Sequence, residues 1–171
     1  MLEPLKKWYC DKCGELIEKP EDGYVQFKKI EQNGIILYDD FVVVHHKSKS
    51  PLKDKLEHGC YIYNSDVTLK RFLGDDGKIH LLTLLDIGKY HNPEFTLLSN
   101  NIRKWIDLFM RFQVPYYEEA RRYLDKANSD GIFDGAMENY MYLPNNLKKV
   151  IEYYQNKELL EIGFFFIRKI K

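Results

Sequence analysis

Three cysteines and a group of histidines are the residues of this sequence best suited to hold a metal ion. Cys10 and Cys13 form a C-x-x-C pair followed directly by Gly14, and Cys60 is the one remaining cysteine. A C-x-x-C turn lets two thiolates converge on one zinc ion, each at about 2.3 Å. Gly14 supplies a backbone that can take a positive φ where such a turn closes. The spacing predicts a zinc site with Cys60 as its third ligand and a histidine as its fourth.

The fourth ligand is to be chosen among three histidines. His45 and His46 follow the apolar run Phe41–Val44, and His58 stands two positions before Cys60. Neighbouring strand residues point to opposite faces, so at most one of His45 and His46 can reach the same ion. His58 and Cys60 would instead form a compact chelating pair. We favour His45 over His46, and either over His58, so the predicted ligands are Cys10, Cys13, His45 and Cys60.

Such a site is expected to be structural. Four protein ligands leave no open position for a catalytic water. A redox C-x-x-C pair normally precedes a helix in a thioredoxin-like unit, whereas here the run Glu15–Glu18 leads into a proline and a hairpin. The sequence contains no phosphate-binding glycine loop, no nucleophile elbow and no H-E-x-x-H motif. It therefore favours a non-catalytic protein over an enzyme.

Composition and charge narrow the class of protein. Hydrophobic residues make up 44% of the 171 residues and aromatic residues 15%, enough for a packed core. The 26 basic and 26 acidic residues balance, and residues 1–65 and 66–171 are each nearly neutral. A strong nonspecific DNA binder needs concentrated positive charge, which neither part has in sequence. With no signal-peptide pattern and no apolar run near about 20 residues, we expect a cytoplasmic protein without a membrane span, in which thiols stay reduced.

The first 65 residues carry strand and turn signals. Asn33-Gly34 favours a two-residue hairpin turn between a run ending near Ile30 and the run Ile35–Tyr38. Asp39-Asp40 is predicted to break the second run before Phe41–Val44. We therefore predict an α+β protein in which residues 1–65 form a small zinc-stabilised antiparallel β-ribbon, followed by a multi-helix region over residues 66–171.

The helices of the second region are predicted from capping signals and apolar stripes. Ser65 or Asp66 can cap a short helix, and Gly74–Gly77 is expected to end it. A helix ending near Gly88 and one starting at Asn92-Pro93 follow. Their predicted apolar stripes comprise Ile79, Leu81, Leu82 and Leu85 in the first and Leu98, Ile102, Trp105, Ile106, Phe109 and Met110 in the second.

The segment Leu159–Lys171 is ambiguous, because its apolar residues fit both a strand and a helix. Phe164, Phe165 and Phe166 leave no polar face in either conformation, so something must cover them. The simpler interpretation is packing on the protein's own core. The alternative is an interface that forms a homodimer.

The run WYCDKCGELI at Trp8–Ile17, the DGYVQF hairpin at Asp22–Phe27 and the FVVVHHK strand at Phe41–Lys47 together resemble a zinc-ribbon-like module of uncharacterised bacterial and phage proteins. The similarity extends into VPYYEEARRY and SDGIFD, at residues 114–123 and 129–134. The resemblance implies the zinc ligands as functional residues and no activity.

These features favour a non-catalytic zinc-binding protein that acts as an interaction or regulatory module, with another protein as its partner. A nucleic-acid-associated regulator is the alternative. The joint at Val114-Pro115 is compatible with a helix-turn-helix, and Arg111, Arg121, Arg122 and Lys126 could meet phosphate. Glu118, Glu119 and Asp125 would repel DNA, and Glu118 with Arg121 has the spacing of an ordinary surface ion pair. An unrecognised enzyme is the third alternative.

Overall fold

The computed structural model describes residues 1–32, 35–85, 95–97, 102–137 and 139–168. The chain forms two compact units, one of Pro4–Val114 and one of Met1–Glu3 with Pro115–Lys171. The first combines strands and helices and the second contains helices. The predicted α+β class is thereby confirmed.

The strands of the first unit form two sheets. Strands β1 (Trp8–Tyr9) and β2 (Leu16–Ile17) pair antiparallel and enclose the C-x-x-C turn. The larger sheet has the order β5-β3-β4-β6, where β3 is Gly23–Gln32, β4 Ile35–His45, β5 Ser65–Thr68 and β6 Phe95–Leu97. β3 pairs antiparallel with β4 and β5, and β6 runs parallel to β4. The predicted hairpin turn, Asn33-Gly34, lies outside the described residues, and Gln32 and Ile35 are paired with each other.

The Asp39-Asp40 pair does not end a strand as expected. β4 continues through it to His45, and the register with β3 shifts between Gln26 and Lys28. Asp40 takes a φ of +53°, and its carboxylate accepts a hydrogen bond from the Tyr63 hydroxyl. The extra residue is absorbed as a bulge, a local kink that leaves the strand paired on both sides.

Two helices complete this unit, of which the second packs against β4 and the first against the second and the segment Leu69–Phe72. Helix α1 is Gly74–Thr83, so the Gly74–Gly77 segment begins a helix instead of ending one. Helix α2 is Ile102–Gln113, and Asn92-Pro93 lies outside the described residues. The core that they complete contains large buried side chains, among them Trp8, Val25, Val43, Phe72, Leu81, Leu108 and Phe112.

The expected boundary near residue 65 does not separate two units in the structure. Ser65–Thr68 is a strand paired with β3, and Leu69–Phe72 is a short 3-10 helix, so Ser65 and Asp66 cap no helix. Both helices α1 and α2 belong to the unit that contains the β-ribbon. The side chains of Leu81 on α1 and of Leu108 and Phe112 on α2 belong to the same buried core as the strands, so these helices and the sheet form one unit.

The second unit is built from α3 (Tyr117–Ala120), α4 (Leu124–Ser129) and α5 (Pro144–Arg168). Ala127, Val150 and Tyr154 form a buried cluster in this unit, with Tyr123 and Phe133 packed against it. The ambiguous C-terminal segment is helical as far as Arg168. The side chains of Phe164, Phe165 and Phe166 lie outside the described part of the chain. Among the described residues, no helix has the length and apolar character needed to cross a membrane.

Candidate metal centre

Four side chains converge in the first unit. Their ligand atoms, three Sγ atoms and one imidazole nitrogen, all lie within 4.8 Å of one another, and they belong to Cys10, Cys13, His45 and Cys60. Cys10, His45 and Cys60 are buried, and Cys13 is partly exposed. The four residues named from the sequence are thus brought together, from the turn, the end of β4 and a loop. The cluster has the donors needed to hold a metal ion.

The turn that carries the first two cysteines is closed by backbone hydrogen bonds. The amide of Gly14 donates to the carbonyl of Cys10 at 2.8 Å, and the amide of Cys10 donates to the carbonyl of Glu15 at 2.9 Å. Gly14 has a φ of +77°, a conformation that costs other residues energy. The two thiols are thereby directed to one side of the turn.

Asp11 fastens this turn to its surroundings. Its amide donates to the carbonyl of Val43 at 2.7 Å, and its carboxylate accepts the amide of Val43 at 2.7 Å. The same carboxylate oxygen accepts Nη1 of Arg111 at 2.7 Å, and Nη2 of Arg111 donates to the carbonyl of Tyr9 at 3.0 Å. Indole Nε1 of Trp8 donates in turn to the carbonyl of Arg111 at 3.2 Å. The turn is therefore tied both to the strand that ends in His45 and to helix α2.

A hydrogen bond fixes the tautomer of His45. Its Nε2 lies 3.1 Å from the carbonyl oxygen of Leu16, which can only accept, so Nε2 carries the proton. Nδ1 is then the bare nitrogen. It lies 3.5 Å from Sγ of Cys13 and 3.8 Å from Sγ of Cys60, on the side where the thiols converge. A neutral imidazole held by a backbone carbonyl in this way is a typical metal ligand.

Cys60 is positioned by Ser50. The Ser50 hydroxyl lies 3.0 Å from Sγ of Cys60, and the same oxygen accepts the amide of Leu52 at 3.0 Å. Gly59 has a φ of +57°, and a Cβ added there would lie 2.9 Å from Cβ of Ser50. Only glycine at position 59 therefore lets the loop pass this close to Ser50 and bring Cys60 into the cluster.

The electrostatics of the cluster disfavour free thiolates. Burial, with a contribution from the neighbouring Cys10, raises the pKa of the Cys13 thiol to about 12. Burial also raises the pKa of Cys60, while its hydrogen bond with Ser50 acts in the opposite direction. With raised pKa values, the thiols of Cys13 and Cys60 ionise only beside a compensating positive charge. A bound cation would supply that charge, since coordination deprotonates a thiol outright.

The competing histidines lie elsewhere. Nδ1 of His46 lies 2.8 Å from the Ser48 hydroxyl and accepts the Ser48 amide, and its ring contacts Tyr24 at a centroid distance of 5.0 Å. The side chain of His58 is 73% exposed and faces Glu57. His46 directly follows β4 and caps the 3-10 helix Lys47–Lys49, so only one histidine of the adjacent pair faces the cysteines, as predicted.

Two contributors were missed from the sequence. Arg111 was considered as a phosphate ligand, but it is 2% exposed and paired with Asp11. No sequence pattern marks Ser50, and its position beside Cys60 follows only from the folded chain. Glu118 and Arg121 do form the predicted pair, at 3.1 Å, but Glu118 is buried, so the pair is not a surface one.

No family model, curated protein or solved structure matches this chain. The resemblance to bacterial and phage proteins with a zinc-ribbon-like module therefore stays a prediction. What the cluster can do follows from its own geometry and chemistry.

Proposed function

We propose that this protein binds one structural zinc ion through Cys10, Cys13, His45 and Cys60, and that the unit organised in this way serves to bind another protein. The observation that carries the proposal is the convergence of the four ligand atoms within 4.8 Å. These atoms come from three separate segments of the sequence. No single segment holds all four ligands, so they meet only in the folded chain.

The donor set and its spacing suit zinc. Three thiolates and one imidazole form one of the usual ligand sets of structural zinc. With zinc–sulfur and zinc–nitrogen distances of about 2.3 and 2.0 Å, a tetrahedral site separates sulfur from nitrogen by about 3.5 Å. The two distances from Nδ1 of His45 to thiol sulfurs, 3.5 and 3.8 Å, agree with that value. Four protein ligands fill the tetrahedron, so the ion would hold segments together and not activate water.

Zinc content tests the first part of the proposal. Protein purified without chelators is expected to contain about one zinc ion per chain, as a closed four-ligand site requires. His45→Ala should lose most of that zinc, and His46→Ala, the matched control, should keep it. Elemental analysis that finds little zinc in the unmodified protein would contradict the proposal. Loss of zinc in His58→Ala alone would show a different ligand set.

Exposed apolar residues on two helices of the same unit support a protein partner. On α1, Ile79 and Leu82 are 62% and 48% exposed, although their helical spacing predicted a buried stripe. On α2, Ile102 and Ile106 are exposed for 41% and 48% of their surface. Each helix therefore carries more apolar surface than the core of this unit uses. Exposed apolar surface beyond the needs of the core is typical of an interaction site.

Capture of a partner protein from a cell extract tests the second part of the proposal. Ile79→Lys with Leu82→Lys should reduce capture of a partner that the unmodified protein retains, while zinc content stays the same. Lys78→Gln on the same helix serves as the control. Equal capture by the double variant would contradict a role for this surface. Salt-dependent retention of DNA would instead favour the nucleic-acid alternative.

A further inference from the structure

A cleft opens in the second unit, and none of its lining residues belongs to the candidate metal centre. Its volume is about 330 Å³, within the range of about 300–1,000 Å³ found for small-molecule sites. Helix α5 provides one wall through residues spaced three or four positions apart, which places them on one face of the helix. The opposite walls come from the turn after α4 and from the 3-10 helix Tyr140–Tyr142. The lining includes Ile132, Phe133, Tyr140, Lys149, Val150 and Tyr153.

Hydrogen bonds hold the walls in place. The buried side-chain amide of Asn146, on α5, donates to the carbonyl of Tyr140 at 2.8 Å and joins two of the walls. The amide of Ile132 donates to the carbonyl of Ala127 at 3.0 Å and ties the third wall to α4. Val150 is 1% exposed and belongs to the buried cluster of this unit. The cleft is therefore formed before any ligand arrives, which lowers the entropic cost of binding.

The lining is aromatic and carries one uncompensated charge. Tyr140 and Tyr153 leave 44% and 49% of their surface exposed, so ring faces remain available to a ligand. Lys149 has no ion-pair partner within the described part of the chain, whereas its neighbour Lys148 lies 3.8 Å from Glu152. The ammonium group of Lys157 lies 6.0 Å from the centroid of the Tyr153 ring, but its charge is paired with the Asp130 carboxylate at 4.0 Å, which leaves Lys149 as the cation for a ligand. An aromatic lining beside an unpaired ammonium group favours a flat ring that bears a negative charge.

We propose that this cleft binds a small molecule made of one aromatic ring and a carboxylate. The ring packs between the side chains of Phe133, Tyr140 and Tyr153, and the carboxylate pairs with the ammonium group of Lys149. The site lies wholly within the second unit, so this inference does not depend on zinc binding.

Saturation-transfer NMR on the full-length protein tests the site with phenylacetate as the probe. Phenylacetamide has nearly the same shape without the charge, and cyclohexylacetate keeps the charge without the aromatic ring. Phenylacetate is expected to bind more tightly than either. Lys149→Met should weaken phenylacetate binding about two- to fivefold, the effect of a partly exposed ion pair, and leave phenylacetamide binding unchanged. Tyr153→Ala should weaken both aromatic probes.

Lys148→Met is the matched control, because it removes the same charge one position away. It should leave phenylacetate binding as in the unmodified protein, and circular dichroism should show each variant folded. The proposal is overturned if phenylacetate receives no saturation from the unmodified protein, or if phenylacetamide binds equally well. It is also overturned if Lys148→Met and Lys149→Met weaken binding to the same extent.

Discussion

The unit Pro4–Val114 and the unit that contains Pro115–Lys171 differ in what holds their buried side chains together. The first has a sheet-and-helix core, and four donors from separate segments meet beside it. The second has a buried cluster of Ala127, Val150 and Tyr154, and its described residues also bury Tyr117, Ala120, Leu124, Leu147 and Ile151. That cluster is extended by aromatic contacts, such as the stacking of Tyr123 on Tyr154 at 5.3 Å. The first unit thus has one point at which several separate segments meet, whereas the contacts named in the second unit each join two segments.

This difference indicates how each unit should respond to a single change. In the first, Cys60, Asp11 and Arg111 lie far apart in sequence and meet around one cluster, so losing one affects several segments. In the second, the hydrogen bond from Tyr154 to Asp130 joins residues 24 positions apart, and other contacts remain when it is lost. We therefore expect larger effects in the first unit than in the second.

Removal of a metal ligand should produce the largest effect. Cys60→Ser is expected to abolish stable zinc binding and to lower the free energy of unfolding by on the order of 3 kcal/mol or more, because structural zinc contributes directly to folding. A tight chelator should act on the unmodified protein in the same direction. Thermal unfolding followed by circular dichroism measures both. The control is His58→Ala, at an exposed position two residues away, which should be as stable as the unmodified protein. If Cys60→Ser were also as stable as the unmodified protein, the expected difference between the two units would be contradicted.

The second-largest effect is expected from loss of the ion pair between Arg111 and Asp11, which holds the C-x-x-C turn. Arg111→Met removes the partner of the Asp11 carboxylate and the donor to the Tyr9 carbonyl. Because it breaks a buried pair and leaves one charge, we expect a loss of about 3 kcal/mol in denaturant unfolding. The variant should still bind zinc but release it to a chelator faster, since the turn is less firmly held. Arg103→Met, at an exposed position of the same helix, is the control. If Arg111→Met released zinc no faster than the unmodified protein, Arg111 would contribute to stability and not to retention of zinc.

The smaller unit offers a test through Tyr154. This side chain is 1% exposed, and its hydroxyl donates to the Asp130 carboxylate at 2.8 Å. Tyr154→Phe should therefore cost about 1 kcal/mol at neutral pH. A loss of 3 kcal/mol or more would show that this unit also depends on single contacts and would contradict the comparison.

The pH dependence of the same residue sharpens this test. Burial and the hydrogen bond to Asp130 raise the pKa of Tyr154 to about 12, so the folded state favours the neutral phenol. Its contribution is fully present below the unfolded pKa of about 10 and is lost as the pH rises toward 12. The stability difference between the unmodified protein and Tyr154→Phe should narrow over that interval. The free energy of unfolding of both proteins can be measured at several alkaline pH values. A difference between them that stays constant would contradict this prediction.

The sequence predicted the members of the candidate metal cluster because ligand chemistry is local. C-x-x-C places two thiols by spacing alone, and strand alternation separates His45 from His46. The supporting residues could not be identified in this way. Arg111 meets Asp11 across 100 positions, a pairing that depends on how α2 packs and not on any pattern near either residue.

The fold was predicted less completely. The α+β class followed from hairpin signals and helical stripes, but Ser65-Asp66 was interpreted as a helix cap where a strand pairs with β3. A short segment such as Ser65–Thr68 takes its conformation from its neighbour in the sheet, which overrides the weak local preference. The apolar stripes likewise indicated helices correctly, but could not show that Ile79 and Ile106 remain exposed.

The C-terminal part of α5 should give the smallest effect on stability and the clearest effect on assembly. Among the side chains of this helix that the structure describes, which end at Leu160, the buried ones, such as Val150, Ile151 and Tyr154, precede Lys157, and Leu159 and Leu160 are exposed. Truncation after Lys157 should therefore leave the melting temperature nearly unchanged and zinc binding intact. If the removed segment joins two chains, light scattering should show about twice the chain mass of 20.5 kDa for the intact protein and the mass of a single chain for the truncated one. A monomeric intact protein refutes the dimer, and a truncated protein that unfolds shows that the segment belongs to the core of its own unit.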